Sequence, residues 1–170
     1  ITDIAHKSDD DLRELASRGV NDLAIGAESG SDETLAFMQK NQTASDLIEQ
    51  GKRLRDAGID FTFFYLAGLA GANKGQDNAL VSAEVFSAAA PNTILIVTLT
   101  PTKTWPLAQD IAAGTWTPAG EVETAYEIRT FIEHLTCKTH IVCSHDSDVV
   151  RFNGLIPADQ ENMLKLLDNY

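Results

Sequence analysis

Leu23-Ala-Ile-Gly-Ala-Glu-Ser-Gly-Ser-Asp32 decides the fold of this chain. Its apolar start reads as a buried strand. It ends in a carboxylate, a hydroxyl and a glycine just before a helix. Polar groups closing an apolar strand mark the place where parallel α/β proteins keep their chemistry. The pattern returns as Ala57-Gly-Ile-Asp-Phe-Thr-Phe-Phe-Tyr-Leu-Ala-Gly-Leu-Ala-Gly71, and the spacing fits one strand–helix–strand unit.

Working outward, Ser8 caps a short acidic helix from Asp9 to Arg18, closed by Gly19. The first strand covers Asp22 to Ala27. Ser31 caps a helix from Asp32 to Gln39, with Asp32 and Glu33 in the turn where the helix dipole favours negative charge. Thr43 and Asp46 form a capping box for a longer helix that ends at Gly58. The second strand is Asp60 to Ala67. A flexible loop from Gly68 to Gly75 and an Ala-rich helix from Asp77 to Ala90 follow. The third strand, Thr93 to Leu99, is apolar throughout, which predicts burial on both faces and parallel pairing. Beyond it come a short helix, Leu107 to Ala113, and a hinge or exposed linker, Thr115 to Gly120. Then come a clear helix, Glu121 to Leu135, a fourth strand, Thr139 to Cys143, and a last helix from Pro157 to Asn169. This order predicts an α/β fold of three to four parallel strands with flanking helices and right-handed crossovers. Residues 1–114 read as one unit and 115–170 as a helical extension holding the fourth strand. A first strand with no preceding neighbour predicts an open apolar sheet edge, and with it self-association.

Composition narrows the function classes. The 170 residues suffice for one domain with a real core. The net charge of −12 repels phosphate backbones, so no nucleic-acid partner is expected. No long apolar run spans a membrane and no signal peptide is evident, which predicts a cytoplasmic protein. Ile1 stands where an initiator methionine would, which suggests processing or an excised fragment.

Several constellations carry chemistry. Glu28 and Ser29 pair at a strand end, suited to hydroxyls or an amine, although strand-end polarity and helix capping explain them equally well. The glycines of 68–75 let a ligand approach the backbone, but no Gly-Lys-Ser/Thr follows, so this is not a Walker loop. Cys137, His140, Cys143, His145, Asp146 and Asp148 invite a metal assignment. Their spacings do not match zinc pairs, and strand alternation keeps all six from converging, so no metal site is expected. Lys103 would serve as a Schiff-base lysine in an aldolase-like barrel, but a polar Pro/Thr loop does not desolvate it.

The ordered set Ile25-Gly-Ala-Glu-Ser-Gly-Ser-Asp32, Thr34-Leu35, Leu54-Arg-Asp-Ala-Gly58 and Phe64-Tyr-Leu-Ala-Gly-Leu-Ala-Gly71 resembles the second half of a radical S-adenosylmethionine (SAM) enzyme. Ala70 stands where that family usually has proline. Leu99-Thr-Pro101 with Thr104-Trp-Pro-Leu107 is similar to a further family segment, imperfect at Trp105. His145 and Asn153-Gly-Leu-Ile-Pro157 resemble the tail of a bacterial iron–sulfur oxidoreductase branch.

The resemblance implies part of a (β/α) barrel. In full length such an enzyme would cleave SAM to a 5′-deoxyadenosyl radical and abstract hydrogen from a substrate. The family's [4Fe–4S] cluster sits on a C-x3-C-x2-C motif, which Cys137 and Cys143 do not form, so this chain is expected to bind no cluster and to be inactive alone. Its implied partner is the missing N-terminal half of the same protein. By resemblance Glu28, Ser29 and Gly68 contact SAM, while Thr98 and Thr100 face substrate or adenine. Which strand face points inward is open by one residue. The other reading of the residues is a non-catalytic, acidic α/β binding module.

Overall fold

The computed structural model describes residues 1–102 and 104–170; Lys103, the Schiff-base candidate, lies outside the described residues. The element order is α1 (Thr2–Ala5), α2 (Asp9–Ser17), β1 (Asp22–Glu28), α3 (Asp32–Phe37), α4 (Ala44–Asp56), β2 (Asp60–Ala67), α5 (Gly75–Ala89), β3 (Thr93–Thr98), α6 (Leu107–Ala113), α7 (Glu121–His134), β4 (Thr139–Cys143), β5 (Phe152–Ile156) and α8 (Gln160–Leu167). The five strands form one sheet in the order β1-β2-β3-β4-β5. The first four run parallel, and β5 returns antiparallel to β4.

Local chemistry sets the helix starts. In α2 the Ser8 hydroxyl accepts from the Asp11 amide while the Asp11 carboxylate accepts from the Ser8 amide. Thr43 and Asp46 repeat the arrangement at α4. Each reciprocal pair satisfies two amide donors that the helix itself cannot use.

Strand alternation builds the layers. Phe61, Phe63, Tyr65 and Ala67 of β2 point to one face, where none is solvent-exposed. Ile94 and Ile96 of β3 join them under α4, α5 and α7. The Tyr65 ring stacks on Phe131 of α7 with centroids 4.1 Å apart, and Phe86 of α5 meets both edge-on. Thr62, Phe64 and Leu66 of β2, with Leu95 and Val97 of β3, point the other way and are only half-buried. The expectation that β3 is buried on both faces is therefore corrected. Helices cover one face of the sheet, and the other is a half-open apolar surface.

Two further corrections concern the second half. Residues 152–156 form a strand that the sequence did not announce, being short and interrupted by Gly154. That glycine lets α8 close on the sheet, since a Cβ there would sit 2.9 Å from Asp159 Cβ and 3.1 Å from Met163 Sδ. Nor is 115–120 a loose linker. Trp116 is buried and its indole N–H donates to the Leu69 carbonyl at 3.3 Å, while the Ala72 amide donates to the Thr117 carbonyl at 2.9 Å. Residues after 115 thus share the sheet and the core with those before it.

β1 occupies the sheet edge, with β2 on one side only. Gln42 partly blunts this edge, its amide donating to the carbonyls of Gly26 and Ala27 at 3.0 and 2.9 Å.

The turn after β1 has no room for a side chain. A Cβ on Gly30 would lie 2.7 Å from Ser82 Cα and 2.9 Å from Val85 Cβ, so α5 would have to move. Gly30→Ala is expected to cost roughly 1–3 kcal/mol, as overpacking of a filled interior does. Denaturant unfolding checks this; an unchanged midpoint would show that the α5 contact yields freely.

Candidate active site

The carboxyl ends of β1, β2 and β3 frame the site. At the end of β1 the register slips between Ile25 and Glu28, and Glu28 adopts φ 67°. A non-glycine residue in that region costs of order 1–3 kcal/mol unless its surroundings hold it there. Here they do. The Glu28 carboxylate folds over Gly26, where a Cβ would lie 2.7 Å from its Oε1, and it accepts a 3.0 Å hydrogen bond from Lys40 Nζ. Lys40 follows Gln39, a second non-glycine residue at positive φ (54°).

This pair opens into a cavity of about 290 Å³ on the uncovered side of the sheet. Leu66, Leu99 and Leu107 line its floor and walls, Phe37 and Trp105 flank it, and Asp110 adds a second carboxylate. The result is an apolar slot with opposite charges at its mouth, the general form of a small-molecule site.

The structure separates the five sequence candidates. Glu28 faces the slot. Gly68 closes β2 at φ 87°, a conformation that suits glycine, and its amide donates 2.9 Å to Glu127 Oε2. Ser29 turns to the helix-covered side. It is fully buried, and its hydroxyl donates to Asn78 Oδ1 at 2.6 Å and accepts from the Ser31 amide at 2.9 Å. With its lone pairs and proton engaged there, Ser29 is a strut under the mouth and not a ligand contact. Thr98 likewise points away from the slot, because Leu95, Val97 and Leu99 take the open face. Its Oγ1 accepts from the Val149 amide at 3.3 Å and its amide donates to Asp148 Oδ1 at 2.9 Å. Thr100 is exposed in the loop beyond and does not line the slot. The one-residue ambiguity in strand facing thus resolves towards Leu99.

The metal-like cluster is spread out. Cys143 is buried, its thiol aimed at the Val150 carbonyl and its pKa pushed up by burial, while His140 lies on the opposite, exposed face of β4. His145, Ser147 and Asp148 clamp the β4–β5 loop to the end of β3. The Asp148 carboxylate accepts from the His145 amide at 2.6 Å, and Ser147 donates to the Thr98 carbonyl at 3.1 Å.

Sequence reasoning missed Glu127. On α7 it falls in the buried stripe with Thr124, Ile128 and Phe131, and a carboxylate in an apolar stripe was the available signal. It is fully buried. Oε1 accepts from the Tyr65 hydroxyl at 2.7 Å and from Asn78 Nδ2 at 3.3 Å; Oε2 accepts from the Gly68 amide. Desolvation dominates and pushes its pKa up to about 7, the three donors offsetting only part of that. Burial, then the adjacent Glu127, raises the Tyr65 hydroxyl as well. A larger crevice of about 600 Å³ lies on the outer side, between α3 and the β2–α5 loop, with Lys74 and Glu33 paired at 3.0 Å on its rim.

No known protein-family profile and no curated protein matches this sequence. Among solved structures the chain is similar to the archaeal Methanocaldococcus infernus Elp3 with an N-terminal deletion (1–46), at a TM-score of 0.71 and 17% identity over 96% of this chain. It spans 38% of that chain's length. The likeness establishes a mixed α/β fold, mostly parallel, with flanking helices. Among the described residues no helix is long and apolar enough to cross a membrane.

Glu127 has a measurable signature. Its pKa is raised in the fold, so its contribution to stability is full below the ordinary value of 4.5 and is lost as pH climbs to about 7. Between those limits the protein should lose about 3 kcal/mol relative to Glu127→Gln, which does not titrate. Urea unfolding of both proteins across pH 4.5–8 reads the difference; a constant gap would show that Glu127 is ionised throughout.

Proposed function

We propose that this chain is the C-terminal part of a radical SAM barrel and that the slot beside Glu28 receives one end of SAM. The observation that carries the reading is the Glu28–Lys40 pair, opposite charges 3.0 Å apart at the mouth of an apolar slot. It lies where the resemblance puts a SAM contact. The likeness in fold to Elp3, a radical SAM-family enzyme, supports it.

The chemistry of the pair fits the ligand. The Glu28 carboxylate accepts from ribose hydroxyls or an ammonium, and the Lys40 ammonium donates to a carboxylate. Phe37, Leu66, Leu99 and Trp105 supply apolar contact and exclude water. Gly68, at positive φ, turns the chain between Leu66 and Leu69, which line the slot. A slot of 290 Å³ lies at the lower end of ligand-pocket sizes. It therefore suits part of the molecule, and an upstream segment packed along β1 and the open sheet face would enclose the rest. Bound together with a reducible cluster, SAM supplies hydrogen-abstracting radical chemistry.

The cluster itself does not fit this chain. Cys143 is buried at the end of β4 with its thiol directed at a carbonyl, and Cys137 stands in the connection before that strand. The cluster's thiolates would come from the upstream part.

In the complete protein, Glu28→Gln removes a charge-assisted hydrogen bond, worth about 1.5–3 kcal/mol. SAM affinity should fall roughly ten- to hundredfold. The melting temperature should hold, because the side chain lies at the mouth and not in the core. Calorimetric titration of SAM beside thermal unfolding separates the outcomes. Affinity unchanged within about twofold would remove Glu28 from the site and favour the binding-module reading.

A further inference from the structure

Glu127 sits where the end of β2 and α5 meet, and α5 carries its contacts on to the end of β1. Its carboxylate holds the Gly68 amide at the end of β2 and the Tyr65 hydroxyl two residues before that end. Asn78 of α5 donates to both Glu127 and Tyr65, and its oxygen accepts from Ser29 at the end of β1. Ser82, one turn further along α5, accepts from the Gly30 amide at 2.8 Å. A continuous chain of buried hydrogen bonds thus runs from the β2–α5 loop to the turn that sets Glu28. Gly75 lies against the same carboxylate, where a Cβ would be 2.7 Å from Oε2.

We propose that Glu127 is a positioning residue whose proton sets the conformation of the β1 and β2 ends beside the slot, gripping Gly68 when ionised and loosening it when protonated. The donor inventory supports this. Tyr65, Asn78 and Gly68 all present hydrogens to the carboxylate, so the network is arranged for the ionised form and an added proton weakens each of its bonds. Oε2, whose one partner is the Gly68 amide, is the oxygen free to take it. Protonation there removes the charge and turns the charge-assisted bond from the Gly68 amide into a weaker neutral one, which loosens the loop. The charged and titratable groups that face the carboxyl are Tyr65 from β2 and Glu123 one turn earlier on α7, while α5 offers the uncharged Asn78. Burial brings the transition near neutral pH. The inference concerns the protein's own loops and does not depend on SAM being the ligand.

The Gly68 amide reports the switch directly. In ¹H–¹⁵N spectra recorded from pH 5 to 9, its proton should move downfield as Glu127 ionises, with a midpoint near 7, and the Ser29 and Gly30 amides should follow the same curve. Variants assign the transition to Glu127. Glu127→Gln should abolish the Gly68 transition. Tyr65→Phe keeps the ring stacked on Phe131 and removes one donor to the charged form, so it should raise the midpoint by about one pH unit. It serves equally if Glu127→Gln fails to fold. A Gly68 amide that does not titrate, that titrates unchanged in Glu127→Gln, or that keeps its midpoint in Tyr65→Phe would overturn the proposal.

Discussion

Everything at the mouth of this sheet hangs on a buried carboxylate that accepts three hydrogen bonds. Placing Glu127 under α7 without partners would be prohibitive, and even with partners its charge is held at a cost. What the cost secures is register. Tyr65 and Gly68 at the end of β2, Asn78 of α5 and Ser29 after β1 each have a polar atom fixed through one cluster. Glu28, the next residue before Ser29, inherits its unusual backbone from that anchorage. The aromatic set of Tyr65, Phe86 and Phe131 then surrounds the cluster and keeps water out.

The second organising constraint is one-sidedness. Helices bury one face of the sheet and leave Phe64, Leu66, Leu95 and Val97 half-covered on the other. In a barrel that second face becomes the lumen, and its contents sit at the carboxyl ends of the strands. The slot beside Glu28 is on this side, and so is the open edge of β1. The larger outer crevice belongs to the helix layer, and its charged rim pair is solvent-exposed, where ion pairs contribute little. Chemistry and topology therefore favour the smaller cavity.

Much of the fold was legible from periodicity and caps. Ser8 and Thr43 fixed two helix starts, and the alternating Phe61–Ala67 run fixed β2 and its inward face. Glu28 was legible as a polar strand end. What escaped has physical reasons. Neighbouring residues face opposite sides, and Ile25, Ala27 and Ser29 alternate onto the buried face, so Ser29 went to the helix side although it reads as Glu28's partner. The strand β5 is made by its pairing with β4 and by α8 closing over Gly154, and its five residues carry no periodic signal. Trp116 looked like part of a linker because its indole partner, the Leu69 carbonyl, is far away in sequence. Glu127 was visible as a charge in an apolar stripe, but its partners are contributed by β2 and α5, which only the folded chain brings together.

On the proposed function, an adenosyl ligand enters at the open face of the sheet and not at the outer crevice. Methyl-resolved spectra of the complete protein titrated with S-adenosylhomocysteine test it most directly. The account predicts shifts of the Leu66 and Leu99 methyls on the open face, with Val81 in the outer crevice unmoved. Shifts at Val81 with Leu66 and Leu99 silent would contradict it.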